Sequence, residues 1–449
     1  MANPDQSQQP SLRARVLKGG AWTIGGYGIS QSIRLVSNLI MTRLLMPEAF
    51  GLMAIVITVH VGLGMMTDFG INASVIRSKS AEKPAFVSTA WSLQIIRDGL
   101  IAILMAIAAL GLWVAQQNGA VAPDTVYEDP RLCILIWVLS ISIALNGFRS
   151  IKLPLAQRRM DIQRIIGLEI SAQIFALITM VIAAQNGAGV YSLVIGQLAS
   201  MFYSLAGSYL FFPGPSAKFE IHKEHFSEIF NYGKWLLIAS LLGFTVVRGD
   251  QFVFGYLFEK NEFSLYAIAT IWIMAIFSLL DNLQTRIIYP TFSELHRTNP
   301  QGLTNAYEKF RLMLTAGLLG IFIVLFFGSS FIFGLLYTSE YSGVAKYVSL
   351  LSIGLLLLPY NLLNSVILSS GDSKNFNLVI GAPSLALFTL TPVIFSAFNA
   401  EAAVVFFATI RIFSLPFAWY FASKHIRINP LYEGLPILLI AFFSIYAVT

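Results

Sequence analysis

Residues 43–55 read RLLMPEAFGLMAI and residues 256–268 read YLFEKNEFSLYAI, and one ungapped shift of 213 positions lays the first on the second. The shift places Leu44 on Leu257, Phe50 on Phe263, Leu52 on Leu265, Ala54 on Ala267 and Ile55 on Ile268. Carried outward, the same register joins Gly20 to Gly233, Trp22 to Trp235 and Asp68 to Asp281. Matches of Leu, Ala and Ile are common by chance among apolar helices, so the Trp, Phe, Gly and Asp pairs carry the case for an internal repeat. A duplication kept for packing alone would leave the same trace.

The repeat is set in an unusually apolar chain. Of 449 residues 56% are hydrophobic and 12% charged, about half the charge of an ordinary soluble domain, ~25%. Apolar spans fall at 18–42, 49–70, 86–113, 131–148, 163–184, 188–212, 232–257, 263–288, 311–337, 346–369, 376–398, 401–423 and 431–448. Most reach the ~20 residues that a membrane helix needs. Six spans separate the two copies of the repeat, an even number, so both halves enter the membrane from the same side. The expected fold is an all-α membrane protein of 12–14 transmembrane helices in two pseudo-symmetric six-helix bundles, related by an axis along the membrane normal. The expected division is a cytoplasmic segment 1–17, a bundle 18–212, a linker 213–231, a second bundle 232–423, and a further segment 424–449 that reads as an incomplete hairpin.

Charge sets the orientation. With the N-terminus in the cytoplasm, 21 Lys and Arg fall on the inner side and 4 (Arg43, Arg131, Lys260 and Lys346) on the outer side, the asymmetry that fixes bacterial membrane topology. The net charge of +6 is therefore a topology signal, and no nucleic-acid partner is expected. The single Cys133 excludes an intramolecular disulfide and a Cys-rich metal site. No phosphate-binding glycine loop, nucleophile elbow or His-rich cluster is present, and the outer loops are short. Neither enzymatic chemistry nor a cofactor or metal is expected.

Four arginines account for the remaining basic residues: Arg34, Arg97, Arg248 and Arg411 lie inside apolar spans. A charge at that depth costs ~2.5–3.5 kcal/mol when it faces lipid, so each should face a cavity or a partner. Only Asp98 and Asp250 lie comparably deep. Positions one or two apart on a helix do not share a face, so neither Arg97–Asp98 nor Arg248–Asp250 is expected to neutralise itself. The interior then carries more positive than negative charge. Guanidinium groups bind phosphate oxygens in a bidentate fork, which makes the four arginines candidates for an anionic substrate. Interhelical ion pairs are the alternative. Asp250, Asp98 and His60 are weaker candidates for ion coupling, each with a packing role as the plainer alternative.

Several segments resemble a known family. GGAWTIGGYGISQSIRLVSNLIMTRLLMPEAFGLMAI at 19–55, IKLPLAQRRMDIQRI at 151–165, GKWLLIASLLGFTVVRGDQFVFGYLF at 233–258 and LPYNLLNSVILSSGDSKNF at 358–376 resemble the oligosaccharide (Wzx-type) flippases of the multidrug/oligosaccharidyl-lipid/polysaccharide superfamily. The resemblance implies alternating-access translocation of a polyprenyl-diphosphate-linked oligosaccharide across the bacterial inner membrane, for O-antigen or exopolysaccharide assembly. Membrane lipids, a polysaccharide polymerase and export machinery would be its partners. A cation-coupled drug exporter of the same superfamily would need an acidic cavity, which the arginine excess opposes. A membrane glycosyltransferase or polymerase would need a large outer loop.

Overall fold

The computed structural model describes residues 12–67, 70–78, 80–159, 161–370, 373–428 and 430–448. The segment 1–11 and Asp68 lie outside the described residues, as do the side chains of Gly20, Trp22, Gly233 and Trp235.

Among the described residues all regular structure is helical. In chain order the helices are α1 (Leu12–Met41), α2 (Pro47–Met66), α3 (Ile71–Arg77), α4 (Pro84–Gln117), α5 (Pro130–Asn146), α6 (Lys152–Arg158), α7 (Ile162–Gln185), α8 (Tyr191–Leu210) and α9 (Lys223–Leu257). They continue as α10 (Lys260–Leu283), α11 (Tyr289–Thr298), α12 (Pro300–Leu336), α13 (Gly343–Ser352), α14 (Asn361–Ser369), α15 (Ser373–Ala397), α16 (Ala400–Thr409), α17 (Leu415–Ala422) and α18 (Pro430–Val448). Proline opens α2, α4, α5, α12 and α18, the first helical position, where its missing N–H costs nothing. Each apolar span of the sequence coincides with a helix or with a helix interrupted once. Nine helical stretches among the described residues are long and apolar enough to cross a membrane, and this is a multi-pass membrane protein. On α4 the residues Leu100, Ile103, Ile107 and Leu110 are exposed, while Asp98, Ile101, Met105 and Ala109 are buried. The apolar stripe faces outward, as lipid requires.

The chain forms two compact units. The first comprises Met1–Leu45, Val59–Val114 and Arg131–Ser240. In it α7 packs on α8 and on α1, with Gln173 Nε2 donating to Ser30 Oγ at 2.7 Å. The linker is strapped down rather than loose. The backbone N–H groups of Lys218, Glu220 and His222 donate to the hydroxyls of Ser88, Ser92 and Thr89 on the opening turns of α4.

The second unit comprises Met46–Thr58, Ala115–Pro130 and Leu241–Thr449. Two short stretches of the N-terminal half therefore belong with the C-terminal half, and the contacts explain why. Lys260 Nζ bridges Glu48 at 2.8 Å and Asp129 at 2.7 Å, and the Lys260 N–H donates to the Asp124 carbonyl. Gly51 of α2 lies so close to α10 that a Cβ on it would stand 2.2 Å from Ser264 Oγ. Ser264 is the residue that the 213-position shift lays on Gly51. Glycine is needed where α2 and α10 cross, because the Ser264 backbone is also within 3.2 Å of that position.

Two spans of this unit are interrupted. Between α13 and α14, residues Ile353–Tyr360 form a 3₁₀ segment containing Pro359, and between α16 and α17 Ile410–Ser414 form another containing Arg411. Proline removes a helical donor and clashes with the preceding turn. The two interruptions lie close together: a Cβ on Gly354 would come within 2.6 Å of the Ala408 carbonyl oxygen. Five residues of π-helix, Gln284–Ile288, join α10 to α11. There Gln284 Nε2 donates to the Asn361 carbonyl and to Ser365 Oγ.

Candidate functional site

The first unit holds a polar cavity of about 160 Å³ at the meeting of α4, α5, α6 and α7. Its charged lining residues are Arg97, Arg149 and Glu169, with the amides of Gln94, Asn146 and Gln157 between them. The wall is built by the turn that follows α5. Gln94 Nε2 donates to the carbonyls of Gly147 at 2.9 Å and Arg149 at 3.0 Å, pinning that turn against α4. Gly147 lets it come close, because a Cβ there would stand 3.0 Å from Ile95 Cα and 3.1 Å from Asp98 Cβ. The first of these neighbours is backbone and cannot rotate away. Gly147→Val should therefore cost about 1–3 kcal/mol of stability and lower the melting temperature of the purified protein, whereas an unchanged melt would show that α4 and the turn separate freely.

Arg97 reaches this cavity but not as a free cation. Its Nη2 lies 2.7 Å and its Nε 2.8 Å from Asp98 Oδ1, and Asn146 Nδ2 donates to Asp98 Oδ2. The expectation that this adjacent pair could not neutralise itself is wrong. The face rule holds for Cβ directions, and a long arginine side chain can fold back over its neighbour. Asp98, buried and bonded on both oxygens, is thereby committed to Arg97 and Asn146. His60 of α2 is half-buried, and its Nδ1 has no hydrogen-bond partner among the described residues.

Arg34 differs. It is exposed, seven positions or ~10 Å before the end of α1, and no carboxylate stands within bonding distance of it among the described residues.

The second unit holds the other two arginines. Arg411, at the 3₁₀ interruption, lines an apolar cavity of about 50 Å³ together with Thr245, Met274, Phe277 and Phe407. Its guanidinium lies 4.7 Å over the Phe277 ring and donates from Nη1 to Asn361 Oδ1 at 3.3 Å. Asn361 thus joins the π-helical turn at Gln284 to Arg411. Arg248 is half-buried, two residues before Asp250. Asp250 is buried and takes hydrogen bonds at Oδ2 from Tyr266 Oη and Gln251 Nε2, both 2.7 Å. Its Oδ1 has no partner among the described residues.

Sequence reasoning missed three groups. Arg149 reads as a topology marker beside Lys152, Arg158 and Arg159, yet it lines the polar cavity. Glu169, in the first third of α7, lines the same cavity. Arg311 and Glu433 form a buried ion pair at 3.1 Å between α12 and α18. An acid in an otherwise apolar stretch was the available signal for the two glutamates. Among the described residues no cluster of His, Cys, Asp or Glu could hold a metal ion.

A family model described as "Polysaccharide biosynthesis protein" matches residues 40–346, more than half of the chain. The chain belongs to this family. It is 21% identical over 288 residues to the succinoglycan biosynthesis transport protein ExoT of Rhizobium meliloti (strain 1021), which covers 64% of the chain but 56% of ExoT. A putative O-antigen transporter of Shigella flexneri is 21% identical over 339 residues, 72% of this chain and 75% of the relative. Among solved structures, the lipid II flippase MurJ in an inward closed conformation superposes with a TM-score of 0.66 at 14% identity, covering 96% of this chain and 91% of MurJ. The family resemblance is borne out, as is the all-helical membrane fold.

Proposed function

We propose that the chain carries a polyprenyl-diphosphate-linked oligosaccharide from the cytoplasmic to the periplasmic leaflet of the bacterial inner membrane by alternating access, with its N-terminus in the cytoplasm. Membership of a polysaccharide-biosynthesis family, together with similarity to named transporters, supports the substrate class. The observation that carries the reading is Arg34, an exposed guanidinium inside an apolar helix with no acid beside it among the described residues. A cation so placed needs a wet or anionic surrounding, and a diphosphate headgroup supplies one. Arg248, Arg97 and Arg411 would add positive field, Arg97 least because Asp98 already neutralises it. Of the coupling candidates Asp250 fits best, a buried carboxyl group with one oxygen unpartnered and no cation bonded to it among the described residues. Asp98 is committed to Arg97, and His60 stands near it. A polymerase and export machinery would act downstream, and the bilayer would hold the prenyl tail.

Deleting the gene for this chain should stop surface polysaccharide while completed lipid-linked units accumulate where an external glycosidase cannot reach them. A drug exporter would leave polysaccharide intact and raise sensitivity to cationic compounds. A missing glycosyltransferase would leave shortened units inside, and a missing polymerase would leave single units outside. Full-length single units on the periplasmic leaflet of the deletion strain would sink the proposal, because translocation would then have another agent.

A further inference from the structure

Arg149 is a half-buried cation whose bonding is incomplete. Its Nε is shielded from solvent and has no hydrogen-bond partner among the described residues. Among the described residues its side chain makes one hydrogen bond, a stretched 3.5 Å contact from Nη1 to Asn146 Oδ1, at the outer limit for such a bond. Glu169 acts on Arg149 electrostatically across the cavity but stands beyond ion-pair distance. Asp98 contributes in the same sense, yet its own oxygens are taken by Arg97 and Asn146. Burial pushes the Arg149 guanidinium below its ordinary pKa, with Glu169 and Asp98 acting in the opposite direction. The two acids therefore stabilise the charge only in part.

The space in front of this group is large. A single water needs about 10–15 Å³ by this kind of measure, and the cavity offers about 160 Å³. Arg149 lines that space, and a guanidinium held by one stretched side-chain hydrogen bond is under-stabilised there. The lining offers a guanidinium fork, a second arginine, and the neutral amides of Gln94, Asn146 and Gln157. That set suits a compact oxyanion with several acceptor oxygens, and a whole oligosaccharide would not fit.

We propose that this cavity is a binding site for a phosphoryl group, held chiefly by Arg149 with Arg97 beside it and opposed by Glu169. The bound anion accepts from the part of the Arg149 guanidinium that lines the cavity, and Glu169 makes the site weak enough to release what it captures. In the proposed topology the turn bearing Arg149 is cytoplasmic, which makes this a capture site on the loading side. That the phosphoryl group is the substrate's own rests on the proposed function; that the cavity binds one does not.

The test uses the full chain in nanodiscs of phosphatidylcholine, with equilibrium binding of radiolabelled pyrophosphate and of radiolabelled polyprenyl diphosphate. Both should bind the unaltered protein. Arg149→Gln should weaken each by about tenfold or more, as expected for a lost charge-assisted contact, and Arg149→Lys should fall between. Glu169→Gln should tighten both by roughly three- to tenfold, because a nearby negative charge is removed. That opposite sign is what a merely structural role would not produce. Pyrophosphate binding untouched by Arg149→Gln, or weakened equally by Glu169→Gln, would overturn the site. Polyprenyl diphosphate binding no tighter than pyrophosphate would overturn its assignment to the substrate. Competition by phosphatidylglycerol nanodiscs alone would overturn it in favour of bilayer headgroups. Should Arg149-dependent binding persist while the deletion strain shows no trapped lipid-linked units, the flipping proposal falls and the site stands.

Discussion

Arg311→Ala should destabilise the protein by about 3–5 kcal/mol, the range measured when one partner of a buried ion pair is removed. Arg311 and Glu433 side chains are each about 4% exposed, and their N–O distance is 3.1 Å. Tyr307 Oη donates to Glu433 Oε1 at 2.5 Å, and Tyr360 Oη donates to the Glu433 backbone carbonyl. The Arg311 guanidinium lies 3.8 Å over the Tyr360 ring. One cation thus holds α12, α18 and the 3₁₀ segment between α13 and α14. Removing it leaves Glu433 buried with a single phenol as donor to its carboxylate and no counter-charge. Nε and Nη1 of Arg311 have no hydrogen-bond partner among the described residues, so the pair is imperfectly satisfied even in the native state. Replacing both members, Arg311→Met with Glu433→Leu, should therefore recover most of the loss. Thermal unfolding of the purified variants decides. If the double variant melts as low as the single one, packing of the arginine stem holds α18 in place and charge does not.

That pair also shows where sequence reading stops. Apolar runs disclose spans directly, because lipid demands them, and among the described residues every run became a helix or a helix interrupted once. The 213-position shift pairs Gly51 with Ser264, and in the fold these two residues lie against each other. Charges at span ends were not legible. Arg149 and Arg311 sit among basic residues that the positive-inside asymmetry explains, and nothing in one dimension distinguishes a topology marker from a cation turned inward. Their acids, Glu169 and Glu433, lie in other helices, 20 and 122 positions away along the chain. Arg97 and Asp98 failed for the opposite reason. Their closeness in sequence suggested diverging side chains, and arginine is long enough to defeat that geometry. The placement of 46–58 and 115–130 with the C-terminal half was equally invisible, because it hangs on Lys260 reaching Glu48 and Asp129 from far along the chain.

Arg34→Ala and Arg248→Ala should each lower translocation by about tenfold or more, the scale of a lost guanidinium–phosphate contact, while Lys at either position retains part of it. Charge survives that exchange and the bidentate fork does not. The two positions should part company in rescue experiments. Arg34 has no acid bonded to it among the described residues, so no carboxylate substitution nearby should restore an Arg34→Ala variant. Arg248 stands two residues from Asp250, whose Oδ1 is unpartnered, and its charge acts on both Asp250 and Tyr266. If Arg248 chiefly balances Asp250, the double variant Arg248→Ala with Asp250→Asn should fold and transport better than Arg248→Ala alone. If Arg248 contacts the headgroup, the double variant should remain inactive while its abundance and melting temperature stay normal. The assay is movement of a fluorescent polyprenyl-diphosphate oligosaccharide in proteoliposomes, scored against the amount of folded protein. Full activity in Arg34→Ala would remove the observation on which the flipping proposal rests, since an exposed cation in an apolar helix would then serve no anion at all.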